Sequence, residues 1–233
     1  MKKVVITSGS QEAANMAGRG NEHDFQMAKA AQELKRDVEF NIVRSGSSSA
    51  GATATAANLG ELENWISTNK THNDGGTTPG WSSNNVGAIV DGSTVATFTE
   101  AQLKTTLANI WDAGGDPDVI MVGSFNKRQM SSFAGIATQY RDNQNIGPAA
   151  IIGAADIYVS DWGQVSVVPN RFQRDRTVFA LEMDKWGVAF YRPFKREPLA
   201  KTGDSKKEHV VGELTLVSFQ EAASGKIADR ATS

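Results

Sequence analysis

Residues 22–43 constrain this chain more than any other stretch. Met27, Ala31, Leu34 and Val38 recur at helical spacing, and Lys29, Glu33, Arg36 and Asp37 populate the opposite face. Asn21 is placed to cap the first turn, with Asp24 in the capping-box position and Glu22 where the helix dipole favours a negative charge. The pattern predicts one helix from 22 to about 43, a rod of about 33 Å at about 1.5 Å per residue. Ala28, Ala30 and Ala31 would let a neighbouring backbone approach it closely.

The rest of the chain alternates between short strands, helices and polar loops. Residues 3–8 read as a strand. Residues 45–57 are a low-complexity Ser/Gly/Ala/Thr loop, and Leu59 to Ile66 form a short apolar piece carrying Trp65. Residues 67–97 are rich in Asn, Gly, Thr and Ser. A loop so long is expected to be either mobile or ordered by a partner. A second helix starts at Thr99, where Gln102 completes a capping box. Leu103, Leu107, Ile110 and Trp111 share a face, and Gly114-Gly115 stop it. A strand at 118–122 and a helix over 125–133 follow. Next come a hairpin over 155–169 turning at Asp161-Trp162-Gly163, and strands near 177–183, 187–192 and 208–219. This order has no regular strand–helix–strand alternation, so it predicts a mixed α+β fold.

Composition excludes several kinds of chemistry. There is no cysteine, so disulfides, thiolate metal sites and cysteine nucleophiles are ruled out. His23, His72 and His209 have no metal-site spacing, and there is no G-x-S-x-G elbow or P-loop. Gly18-Arg19-Gly20 lacks the third glycine of a dinucleotide motif and reads as a lead-in to the Asn21 cap. Asp112, Asp116 and Asp118 flank a helix end and a strand start, where acidic residues cap turns. No catalytic, metal or cofactor-binding residue is nominated, and the chain is expected not to be an enzyme. A formal net charge of -2 does not describe a dedicated nucleic-acid binder. No apolar run approaches the ~20 residues of a membrane span, and the first six residues are too short for a signal-peptide core. The expectation is a soluble protein made inside the cell. The sequon Asn69-Lys70-Thr71 reads as accidental.

Two stretches combine basic and aromatic residues: Asn170-Arg171-Phe172-Gln173-Arg174-Asp175-Arg176 and Tyr191-Arg192-Pro193-Phe194-Lys195-Arg196. Such residues stack on bases in single-stranded nucleic acid and are also enriched at protein–protein interfaces. Asp175 and Glu197 dilute the charge, and Trp81, Trp162 and Trp186 in loop or turn contexts favour the interface reading. Arg171, Arg174, Arg176, Arg192 and Trp81 are therefore the subunit-interface candidates. From residues alone the reading stops at an oligomeric α+β protein with extended loops.

A set of short motifs takes it further. Ser8-Gly9-Ser10-Gln11-Glu12-Ala13, Ala17-Gly18-Arg19 and Glu33-Leu34-Lys35-Arg36-Asp37 are followed in order by Met121-Val122-Gly123-Ser124-Phe125-Asn126-Lys127. Then come Ile157-Tyr158-Val159-Ser160-Asp161, Val168-Pro169-Asn170-Arg171-Phe172, Arg192-Pro193-Phe194, Ala200-Lys201-Thr202-Gly203-Asp204 and Glu221-Ala222-Ala223-Ser224-Gly225. In this order the chain resembles the major capsid proteins of tailed bacteriophages, over essentially its whole length. The resemblance implies a Johnson-type capsid fold with a long spine helix, the one at 22–43. It assigns 1–98 to a peripheral domain, 99–186 to an axial domain and 187–233 to a return into the peripheral domain. It also implies that the N-terminal arm and most of the extended loop are missing here. By resemblance the chain partners itself in hexamers and pentamers of an icosahedral shell around double-stranded DNA, bound without sequence preference. Scaffold, portal and decoration proteins are further partners, and no membrane is involved. The resemblance places the chain in the virion after assembly in the host cytoplasm. The alternative is a surface or decoration module that binds a ligand or glycan through residues 67–97.

Overall fold

A computed structural model describes residues 1–14, 18, 20–133 and 157–233. Ala17 and Arg19, and the start of the expected hairpin at 155–156, lie outside the described residues. In chain order the elements are β1 (Lys2–Ser8), α1 (Gly9–Ala13), α2 (Glu22–Val43), α3 (Leu62–Trp65), β2 (Asn69–Thr71), β3 (Trp81–Ser82), β4 (Asn85–Val86) and α4 (Glu100–Asp112). They continue as β5 (Val119–Val122), α5 (Ser124–Ser131), β6 (Ile157–Ser160), β7 (Gly163–Pro169), β8 (Val178–Leu181), β9 (Trp186–Pro198), β10 (Ser205–Ser218) and β11 (Gly225–Ile227). The mixed helix-and-strand content is that of an α+β fold. Two compact units share the chain: Met1–Asn41 with Val188–Thr215, and Ile42–Gly187 with Leu216–Ser233. Residues 42–98 are thus part of the second unit.

The first unit is built on the long helix. Asn21 Oδ1 accepts from the Asp24 N–H at 3.1 Å, and α2 spans the 22 residues that its spacing predicts. Its buried line runs His23, Met27, Ala30 and Leu34. Ala31, expected in that line, is exposed; steps of four, three and four residues from His23 select Ala30 instead. The sheet of this unit has the order β1-β10-β9. β1 and β10 are antiparallel, with Lys2 opposite Val211 and Ser8 opposite Ser205. His23 is fully buried, with Nδ1 2.8 Å from Thr7 Oγ1 on β1 and Nε2 3.5 Å from Glu208 Oε1 on β10. The imidazole therefore bonds the start of the helix to β1 and packs its Nε2 edge near β10 without a hydrogen bond there.

The second unit holds a six-stranded sheet in the order β2-β11-β8-β5-β7-β6. β11 runs parallel to β2 and β5 parallel to β7, while the other pairs given are antiparallel. All four residues of β8 are buried, as suits a strand at the centre of a covered sheet. Leu103, Leu107 and Ile110 of α4 pack against Ile120, Val122, Val167, Val178 and Ile227 of the sheet. A second cluster joins Leu62, Ile66, Phe179, Leu181 and Leu216. The capping box at Thr99 and Gln102 is formed as the sequence predicts. Trp111 departs from expectation: it is 52% exposed, outside the buried face of α4.

The 67–97 segment is held by its own chain. Thr77 and Val90 exchange main-chain bonds at 2.7 and 2.9 Å, and Asn73 Nδ2 donates to Thr94. β3 and β4 form a hairpin whose turn residues Ser83 and Asn84 have φ of 52° and 61°, the left-handed pair of a tight two-residue turn. The Asn, Gly and Thr content that reads as loop thus supplies turn conformations and side-chain bonds.

Candidate functional site

The five interface candidates fall into two groups. Arg174 and Arg176, on the segment entering β8, point into the second unit. Arg174 Nη1 lies 3.4 and 3.5 Å from the carboxylate oxygens of Glu63, which is fully buried, and Nη2 donates to Asp91 Oδ2 at 2.5 Å. Arg176 Nη2 donates to Asp229 Oδ1 at 2.7 Å and to the Gly92 carbonyl at 3.3 Å, and Nη1 reaches Asp91 at 3.4 Å. These two guanidinium groups are engaged within the chain.

Around them lies a buried network that sequence reasoning missed. Thr177 Oγ1 donates to Glu63 Oε1 at 2.7 Å. Lys226, on β11, is fully buried and donates to the Glu63 carbonyl at 2.6 Å. His72 lies between Asp229 Oδ2 (3.0 Å from Nδ1) and Thr78 Oγ1 (2.8 Å from Nε2), and Lys70 Nζ donates to the Thr78 carbonyl at 2.5 Å. Burial pushes Lys226 down to about 8 against the pull of Glu63. Burial also lowers His72, with Asp229 opposing and Lys226 and Lys70 assisting. At Asp229 burial works against the charge. Bonds from His72 and from the main-chain N–H groups of Asn73 and Gly92 outweigh it and hold the carboxyl below its ordinary value. Thr78, His72 and Asp229 stand in the order hydroxyl, imidazole, carboxylate, but Thr78 and Asp229 are fully buried, so the arrangement serves here as a structural network. Among the described residues no group of three or more acidic or histidine side chains is placed to hold a metal ion.

The other three candidates face outward. Arg171 is exposed and has no hydrogen-bond or ion-pair partner among the described residues. Arg192, on β9, pairs with Glu213 at 3.3 Å with both side chains about half exposed, a surface pair of small energetic weight. Trp81 stacks on Trp65 at 5.2 Å between ring centroids with 4° between planes, and remains 53% exposed. Further apolar surface was not nominated from the sequence. Tyr191 is 86% exposed and Phe190 54% on β9 in the first unit, and Phe219 is 72% exposed in the second. The only signal for these was aromatic residues in a strand rich in charge.

A long capped helix beside a three-stranded sheet, and a separate six-stranded mixed sheet, define the class: the capsid fold of phage and encapsulin shells. A cyanophage A-1(L) capsid protein matches with a TM-score of 0.65 at 15% identity, covering 100% of this chain and 77% of its own. The encapsulin of Synechococcus elongatus matches at 0.59 and 12%, covering 100% and 74%. The procapsid of satellite phage P4, a structure that includes its size determination protein, matches at 0.56 and 11%, covering 99% and 70%. No curated protein matches the sequence. The chain belongs to the SU10 major capsid protein family, whose model matches residues 1–231, and it is a shell-forming major capsid protein.

Proposed function

We propose that copies of this chain form the hexamers and pentamers of an icosahedral shell enclosing double-stranded DNA, a structural and not a catalytic role. The family match over residues 1–231 carries this reading. In it residues 1–98 and the return at 187–233 form the peripheral domain, which includes the whole first unit, and residues 99–186 form the axial domain. Arg171, Arg192 and Trp81 join neighbouring subunits, because they present charge and aromatic surface outward. Arg174 and Arg176 act indirectly, by fixing the 67–97 segment. DNA is enclosed without sequence preference, consistent with a net charge of -2. Scaffold, portal and decoration proteins complete the particle, which assembles in the host cytoplasm and ends as the virion.

Negative-stain electron microscopy with light scattering across a concentration and salt series tests this. Shells, tubes, or six-fold and five-fold rings are expected. A protein that stays monomeric at every concentration and salt would turn the reading to a surface binding module.

A further inference from the structure

The segment from Gly225 to Arg230 is buried at every position. It is bonded to residues 72–96. The Asp229 carbonyl accepts from Ala96 N–H at 3.0 Å, and Ala231 N–H donates to the Ala96 carbonyl at 2.9 Å. The Asp229 carboxylate takes the Asn73 N–H at 3.1 Å, the Gly92 N–H and the His72 ring. Asp229 therefore holds the segment with its side chain at His72, Asn73 and Gly92 and with its main chain at Ala96. It does so from a main chain at φ 59°, in the left-handed region that Asp enters more readily than most residues.

His72 fits this arrangement as a neutral ring. Nδ1 faces a carboxylate and carries the hydrogen, and Nε2 then accepts from the Thr78 hydroxyl. The charged groups acting on it are Lys226 on β11 and Lys70 on β2, both cations, with Asp229 opposing them. Arg176 bonds the other oxygen of Asp229 and is itself paired with Asp91, and Lys226 lies in the field of Glu63. A proton on His72 adds a positive charge beside the two lysines at a largely buried site. It also turns Nε2 into a donor, so the Thr78 hydroxyl must reverse.

We propose that residues 225–231 are an acid-releasable strap over the 72–96 segment, closed by neutral His72 and ionised Asp229 and opened when His72 takes up a proton. The folded-state value of His72 lies below its ordinary 6.5, so its contribution is complete above that pH and is lost as the pH falls below it. Asp229 adds a second loss only further down, below its ordinary 3.8.

Hydrogen exchange read by mass spectrometry on the 233-residue chain tests the strap, at about pH 7.5 and about pH 5 with chemical exchange rates corrected for pH. Peptides covering 72–96 are expected to lose about tenfold or more of their protection at the lower pH, while α4 and β5 keep theirs. His72→Gln is expected to hold the segment closed at both pH values, and Asp229→Asn to leave it open at both. Equal protection of the wild type at both pH values would overturn the proposal. So would a loss shared equally by α4 and β5, or a His72→Gln protein with the wild-type pH response. If His72→Gln is open throughout or does not fold, nuclear magnetic resonance of the wild type decides. A His72 ring titration that coincides with segment opening supports the strap, and one displaced by more than about one pH unit refutes it.

Discussion

Lys226 carries its charge where no water reaches it. Its ammonium is satisfied by the Glu63 carbonyl and by the field of the Glu63 carboxylate, and burial still pulls its value down to about 8. The unfolded chain therefore binds more protons than the folded one between about pH 8 and 10.5, and stability rises with pH across that window. Lys226→Met should abolish that rise while changing stability at pH 7 by less than about 1.5 kcal/mol. The lost bond to the Glu63 carbonyl and the relieved desolvation oppose each other. Urea melts of both proteins from pH 7 to 10.5 measure this. Glu61 behaves in the opposite sense. Burial and the neighbouring Glu63 raise it to about 7, with Arg44 opposing, so stability falls as pH rises from 4.5 through 7. Glu61→Gln should gain about 1 kcal/mol at pH 8 and nothing at pH 4, a modest figure because the carboxyl is partly exposed and water screens it. Arg174→Ala is the severe change in this region. It removes the ion-pair partner of the buried Glu63 carboxylate, leaving only the more distant field of Lys226, and should cost about 3 kcal/mol in a thermal or urea melt.

Elements whose cause is local were legible before the structure. The Asn21 cap, the spacing through Leu34, the Thr99–Gln102 box and the turn at Asp161-Trp162-Gly163 each act within a few residues, and α2, α4 and the β6–β7 hairpin stand where they place them. β2 and β11 were not legible. Each is three residues long, and β11 centres on a lysine, which reads as surface until Glu63, 163 residues away in sequence, is seen beneath it. The same reason explains the partial reading of the site. Arg174 and Arg176 stand out as a basic cluster, but Glu63, Asp91 and Asp229 come from segments 111, 83 and 53 residues distant and turn these two inward. His23 shows what long-range pinning is worth at this scale. His23→Ala empties a fully buried site and removes the hydrogen bond from α2 to β1. The expected loss is about 2–4 kcal/mol, with far-ultraviolet circular dichroism unchanged below the melting transition.

At the scale of the whole molecule, stability and assembly depend on different arginines. Arg171 and Arg192 sit on the surface, where an ion pair is worth roughly 0.2–1 kcal/mol, so replacing both with Ala should leave the melting curve of the free chain within about 0.5 kcal/mol of wild type. In a shell the same small term recurs at every copy of an interface, and each subunit takes part in several. If each outward arginine contributes about 0.7 kcal/mol at a subunit contact, the double replacement removes about 1.4 kcal/mol per subunit, a factor of about ten in the concentration at which assembly begins. Light scattering against protein concentration should therefore show the onset about tenfold higher for Arg171→Ala with Arg192→Ala. Raising the salt should shift the wild-type onset in the same direction, because exposed charges are screened within about 8 Å at physiological ionic strength. An onset that stays at the wild-type concentration would remove these arginines from the subunit contacts. Attention would then pass to the exposed aromatic surface of Tyr191, Phe190 and Phe219, whose contribution is apolar and would change little with salt.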